Sequence, residues 1–309
     1  SLQPKAERKG ATATGYGFVL GVFELVIFLT SPIFSYLTLK IKPTIIATVG
    51  ILFTGISTLV FGFLHLIEGP YTFIGMSILL RVIEATGEAA FVVASFSIIS
   101  SHFHDSISSK FAVLETFWAL GMIVGPTIGG ALYQIGNFTL PFSVLGGTLL
   151  LVALGSLCLL HPNTDPDKFI ATSPFGFTRM FKLPGIIITG LTILVTAYGF
   201  GFFATILEPH LRQFNLSPVI LGLVFISTGI SYGLTSPIWG YICDNVMNPL
   251  YVLLIGLVLQ TVGLIFFGPT LFNNYKSYLG EDIACMAVIG VGMGACLVGG
   301  FSAGQWEAL

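Results

Sequence analysis

Thr30-Ser31-Pro32-Ile33-Phe34-Ser35-Tyr36-Leu37 recurs as Thr235-Ser236-Pro237-Ile238-Trp239-Gly240-Tyr241-Ile242, identical at five of eight positions and offset by 205. In the same register Gly87 maps onto Gly292, Val93 onto Val298, and Phe96-Ser97 onto Phe301-Ser302. Apolar sequence produces either match by chance, but two matches in one register point to a duplicated unit. Each copy sits in a long apolar run, so the nature of those runs decides the fold.

The 309 residues are 54% hydrophobic and 8% charged, with a mean hydropathy of +0.94. Soluble domains carry roughly 25% charged residues, so a soluble globule is excluded. A net charge of −2 gives no electrostatic footing for nucleic acid. Cys158, Cys243, Cys285 and Cys296 show no CxxC spacing, so neither a metal site nor a disulfide framework is expected. No HExxH element appears, and neither an enzyme nor a cofactor is expected. The basic head SLQPKAERKG leads into a long span rather than a short signal core.

A spanning helix needs about 20 mostly apolar residues. Runs between loop signals predict nine helices, at about 15–38, 44–66, 71–100, 108–134, 140–160, 185–208, 217–242, 250–271 and 283–304. The 37 glycines suit close helix packing in lipid, and no alternating ten-residue strands of a barrel appear. Lys40, Lys42, Lys110, Lys168, Arg179 and Lys182 fall in one set of connections. The opposite set carries only Arg212 and Lys276 after the head. The lysine-rich set is assigned to the cytoplasm; Lys5, Arg8 and Lys9 in the head are the exception. The sequon Asn137-Phe138-Thr139 then lies in a membrane-close loop on the far side.

The repeat pairs the first predicted span with the seventh and the third with the ninth. A six-helix unit is therefore duplicated in parallel, with one helix expected before Ser1 and two after Leu309. The expected fold is all-α, two six-helix bundles truncated to about nine helices. Residues 1–162 would form the first bundle, 163–184 a central cytoplasmic loop and 185–309 the second bundle.

Charge inside these spans marks the chemistry. Glu24, Glu84, Glu88, Glu115 and Glu208 lie within or at the ends of apolar spans, where a carboxylate costs about 2.5–3.5 kcal/mol and usually faces protein or water. Arg81, Glu84 and Glu88 share one helical face by their i+3 and i+4 spacing. One arginine cannot neutralise two carboxylates, so the surplus acid is a candidate proton carrier or cation ligand. Glu68, Glu281 and Asp282 read as solvated loop acids. His210 reads as a surface histidine, though its ordinary pKa of about 6.5 would let it titrate in an acidic compartment. His102 and His104 have no metal-site support.

Gly121-Met122-Ile123-Val124-Gly125-Pro126-Thr127-Ile128-Gly129-Gly130 matches the GxxxGPxxGG signature of proton-coupled antiporters in full. On these residues the chain resembles the major facilitator superfamily, built of two parallel six-helix halves with substrate near the midplane. Gly121, Gly125 and Gly129 form a small-residue stripe for close backbone approach, and Pro126 permits a bend. Arg81-Val82-Ile83-Glu84-Ala85-Thr86-Gly87-Glu88-Ala89 resembles the family's RxxQGxGxA motif, with Glu84 and Ala85 as departures. Its loop motif is degraded: the first copy ends in Lys40 and Lys42 without an acid, and the second keeps Asp244.

Leu207-Glu208-Pro209-His210-Leu211, followed by Arg212 and Phe214, resembles solute carrier family 18, the vesicular amine transporters, closest to their polyamine branch. The resemblance implies exchange of protons for organic cations across a secretory or synaptic-type vesicle membrane, by a monomer with protons and amines as its small partners. The lysine that monoamine carriers have beside Glu24 is Phe23 here, so their charge network does not carry over intact. The rival readings are a multidrug or monoamine antiporter and a non-transporting receptor or scaffold on the same fold.

Overall fold

A computed structural model describes residues 13–67, 69–103, 106–159, 183–214, 218–267 and 278–308. Among them are nine α-helices: α1 Ala13–Leu37, α2 Pro43–Phe61, α3 Pro70–His102, α4 Ile107–Gly136, α5 Thr139–Leu159, α6 Pro184–Leu211, α7 Pro218–Asn245, α8 Pro249–Phe266 and α9 Leu279–Ala308. The central connection expected at 163–184 falls almost wholly outside the described residues, as do Glu68 and His104.

Proline fixes where many of these helices start. α2, α3, α6, α7 and α8 each begin on a proline, whose missing N–H would be unsatisfied in a first turn anyway. Asn248 adds a side-chain cap to α8, accepting from the Leu250 N–H at 2.9 Å. Gly69 precedes α3 at φ +89°, a backbone state that penalises any Cβ. Among the described residues, seven spans are long and apolar enough to cross a membrane: 43–66, 71–102, 107–136, 139–158, 184–201, 249–266 and 279–307. A shorter apolar helix covers Gly21–Leu37. The chain is a multi-pass membrane protein.

The helices sort into two compact units, residues 1–102 with 127–173, and residues 103–126 with 174–309. In the first, α3 packs on α1 and α2, and α2 on α5. Its cores are Phe61, Leu64, Phe73, Leu80 and Phe138, and Ile46, Ala47, Ala90 and Ala94. In the second, α9 packs on α6, α7 and α8, around Leu207, Val224, Tyr232, Met286, Ile289 and Met293.

Shifted by 205 residues, α1, α2 and α3 fall on α7, α8 and α9 to within four residues at every end. The duplicated residues perform duplicated work. Pro32 and Pro237 lie inside α1 and α7, where each removes a backbone donor that lipid cannot replace. Just before each, hydroxyls bond back four residues: Thr30 to the Val26 carbonyl at 2.7 Å and Ser31 to that of Ile27 at 2.6 Å. The second copy repeats this, Thr235 to Ser231 at 2.7 Å and Ser236 to Tyr232 at 2.8 Å. Gly87 and Gly292 likewise serve one purpose. A Cβ on Gly87 would sit 2.6 Å from the Gly50 carbonyl oxygen, and one on Gly292 2.8 Å from that of Gly256.

The glycines of the antiporter signature behave differently. A Cβ at Gly121, Gly125, Gly129 or Gly130 would meet nothing within 4 Å. The expected close approach over this stripe is therefore absent among the described residues. The side chain of Pro126 lies outside the description.

Candidate functional site

Three hydroxyls prepare the site in the first unit. Thr54, Ser57 and Thr58 recur at i, i+3 and i+4 along α2, one face of a helix, and all three meet α3. Thr54 donates to the Glu84 carbonyl at 3.4 Å and Ser57 to the Leu80 carbonyl at 2.8 Å. Thr58 donates to Glu84 Oε1 at 3.0 Å. The other oxygen, Oε2, takes Arg81 Nη1 at 2.9 Å. Arg81 is itself boxed by aromatic faces, its guanidinium carbon 4.6 Å from the Phe61 ring centre and 5.5 Å from that of Phe23. A guanidinium over a ring gains cation–π attraction. Phe23, the neighbour of Glu24 in the sequence, thus braces this chain's arginine.

Arg81 is spent on Glu84, one helical turn from Glu88. Glu88 is half-buried and makes no hydrogen bond among the described residues. It lies within electrostatic reach of Glu24, Glu84 and Arg81. Glu24, exposed on α1, therefore comes to the same cluster as the α3 pair. Three carboxylates around one arginine leave a negative excess, which a proton or an ammonium group can neutralise.

In the second unit the corresponding positions are apolar. Arg81, Glu84 and Glu88 shift onto Met286, Ile289 and Met293 of α9, all buried in its core. A helix at this place in the fold is built without charge. The charged triad is accordingly not a packing requirement.

Glu115 belongs to the second unit, where Tyr232 of α7 donates its hydroxyl to Glu115 Oε2. The next residue, Thr116, donates to the Gly233 carbonyl at 3.3 Å, the acceptor that Pro237 leaves without its intrahelical donor. Sequence reading missed Tyr232, since the repeat places Ile27 opposite it and gives no signal. The side chain of Glu208 lies outside the description.

Two readings need correction. Asp282 is no solvated loop acid: α9 starts at Leu279, before the predicted 283, and puts Asp282 in its first turn at 1% exposure. Nor is His210 a free surface histidine: its Nε2 lies 2.9 Å from Asp282 Oδ2, with the side chain 15% exposed. Asp244, retained from the degraded loop motif, caps α4 by accepting from the Ser108 N–H at 3.1 Å and the Ser109 N–H at 2.8 Å. The Ser109 hydroxyl adds a bond at 2.5 Å.

With this geometry in place, the sequence profile of the Major Facilitator Superfamily matches residues 2–305. The chain belongs to the Major Facilitator Superfamily. Among superfamily members, it is similar to the MFS-type transporter SLC18B1 of Homo sapiens, 32% identical over 298 residues. The same protein of Rattus norvegicus is 31% identical over 301 residues. Both alignments cover 95% of this chain, which spans 64% of those relatives' length. The chromaffin granule amine transporter of Rattus norvegicus is 25% identical over 279 residues, covering 89% of this chain and 51% of the relative.

Proposed function

We propose that this chain is part of a proton-coupled antiporter that moves polyamines or related organic cations across the membrane of a secretory vesicle or other acidic organelle. The observation that carries the reading is the cluster of Glu24, Glu84 and Glu88 around Arg81, set where the second unit holds Met286, Ile289 and Met293. Intramembrane ionisable groups that packing does not need are functional by default. Transport names among the relatives and the intact GxxxGPxxGG sequence support the same direction.

In this mechanism the pair Arg81–Glu84 is fixed, and Glu88 is the exchanging carboxylate, with Glu24 as its neighbour. An amine with two or more ammonium groups binds the ionised pair of acids. Protons arriving from the acidic side neutralise those acids and release the amine. Loss of the protons on the cytoplasmic side restores binding. Glu115, on α4 within 1–162, and Glu208, within the second bundle, 185–309, are further acids on the cation path. The first bundle, 1–162, carries the exchanging centre, and 163–184 links the two.

The test is uptake of labelled spermidine by proteoliposomes of the complete protein under an imposed proton gradient. Glu88→Gln and Glu24→Gln are expected to abolish gradient-driven uptake, and Glu84→Gln to reduce it at least as far. Unchanged uptake in all three variants rules the mechanism out. Inhibition by a lipophilic amine but not by spermine would instead support the multidrug or monoamine reading.

A further inference from the structure

The His210–Asp282 contact joins two helices that carry no part of the cluster above. His210 sits in the last turn of α6 and Asp282 in the first turn of α9. The imidazole is wedged against Phe267, 4.9 Å between ring centres, and edge-on to Phe214 at 6.3 Å. Gln213 Nε2 donates to the His210 carbonyl at 2.9 Å and lies 3.4 Å from both ring nitrogens. The histidine is thus held in one orientation, aimed at a carboxylate that is almost wholly buried. Burying a carboxylate costs several kcal/mol unless it is paired and hydrogen-bonded.

We infer that His210 and Asp282 form a proton-operated clasp between α6 and α9. Deprotonated, the imidazole is a neutral donor to the Asp282 carboxylate; protonated, it forms an ion pair with it. Protonation adds Coulomb attraction to a hydrogen bond that is already made, in a setting where water screens little. Acid therefore tightens the junction, and neutral pH loosens it. Among the described residues, Glu281 and Cys285 of α9 and Tyr278 just before it are ionisable groups near Asp282 in the chain. Glu208 and Arg212 adjoin His210 in the sequence. Glu281 adds negative charge, which favours the protonated clasp further.

The clasp lies at the lysine-poor end of both helices, which the charge pattern assigns to the side away from the cytoplasm. Its setting rests on the antiport reading, in which that side is acidic. A junction that tightens there in acid holds the α6 end closed against α9 once the compartment is loaded. The clasp is a second proton-binding site, distinct from the acids of the first unit.

The experiment is hydrogen–deuterium exchange of the full-length protein in lipid nanodiscs, without substrate, at about pH 5.5 and 7.5. After correction for the intrinsic pH dependence of exchange, peptides at the end of α6 and the start of α9 should be about fivefold more protected in acid. His210→Gln, which keeps a donor but cannot take the proton, should erase the difference. Asp282→Asn should erase it too and lower protection at both pH values. A pH difference that persists in His210→Gln overturns the clasp. Because no substrate is present, this readout separates from uptake: lost uptake with an intact clasp sinks antiport alone.

Discussion

Arg81 Nη1 lies 2.9 Å from Glu84 Oε2, and Thr58 Oγ1 holds the other oxygen of the same carboxylate at 3.0 Å. Glu84 is thereby doubly bound, while Glu88, one turn further along α3, makes no hydrogen bond among the described residues. Two glutamates four residues apart should respond oppositely to neutralisation. Glu84→Gln leaves a largely buried guanidinium without its counter-charge, and breaking such a pair costs about 3 kcal/mol. Glu88→Gln removes like-charge repulsion and should leave stability unchanged or raised. Thermal unfolding in detergent distinguishes them: a clear drop in Tm for Glu84→Gln and none for Glu88→Gln. Equal drops would mean that Glu88 is also a structural partner.

The duplicated glycines make a matched pair of predictions. Gly87→Ala forces a methyl to within 2.6 Å of the Gly50 carbonyl oxygen and Thr54 Oγ1, and Gly292→Ala to within 2.7 Å of the Gln260 backbone nitrogen. Backbone cannot rotate away as a side chain can, so each should cost on the order of 1–3 kcal/mol. Gly121→Ala and Gly125→Ala meet open space and should be neutral in the same unfolding assay. If their transport is nevertheless lost, the signature glycines serve a conformation other than this one.

The repeat made the fold legible because parallel duplication leaves the same residues at the same offset, and the Ser-Pro pairs and Gly87/Gly292 keep their structural tasks. Spacing along α3 likewise brought Arg81, Glu84 and Glu88 to one face. What escaped was mostly contact between distant helices. Nothing local ties Tyr232 to Glu115, 117 residues away, and Asp282 read as a loop acid because polar residues at a helix start resemble a loop. The hydroxyl stripe Thr54, Ser57 and Thr58 was readable in principle from its spacing, since hydroxyls on one face of an apolar helix need acceptors. The stripe of Gly121, Gly125 and Gly129 suggested a close approach that the described residues do not make.

Tyr232 is 2% exposed and donates its hydroxyl to Glu115. Tyr232→Phe keeps the ring in the core but strips a half-buried carboxylate of its donor, at a cost of about 1–3 kcal/mol. Adding Glu115→Gln should recover much of that loss, because a neutral amide tolerates burial better than an unpaired carboxylate. A double-mutant cycle by denaturant or thermal unfolding reads the coupling. Additive single effects would show that the two groups do not act together.

Asp244 makes a final, local prediction. Its carboxylate satisfies two of the N–H groups that the first turn of α4 leaves unpaired, and its negative charge faces the positive end of that helix. Asp244→Ala removes both effects and should cost about 1 kcal/mol, within the range for a lost N-cap. Asp244→Asn keeps an acceptor oxygen and loses only the charge, so its effect should be the smaller of the two. Amide exchange at Ser108 and Ser109 locates the change: it should accelerate most in Asp244→Ala, less in Asp244→Asn, and remain unaltered at the start of α8. Equal acceleration in both variants would assign the cap to charge alone, and none in either would remove Asp244 from the junction between α7 and α4.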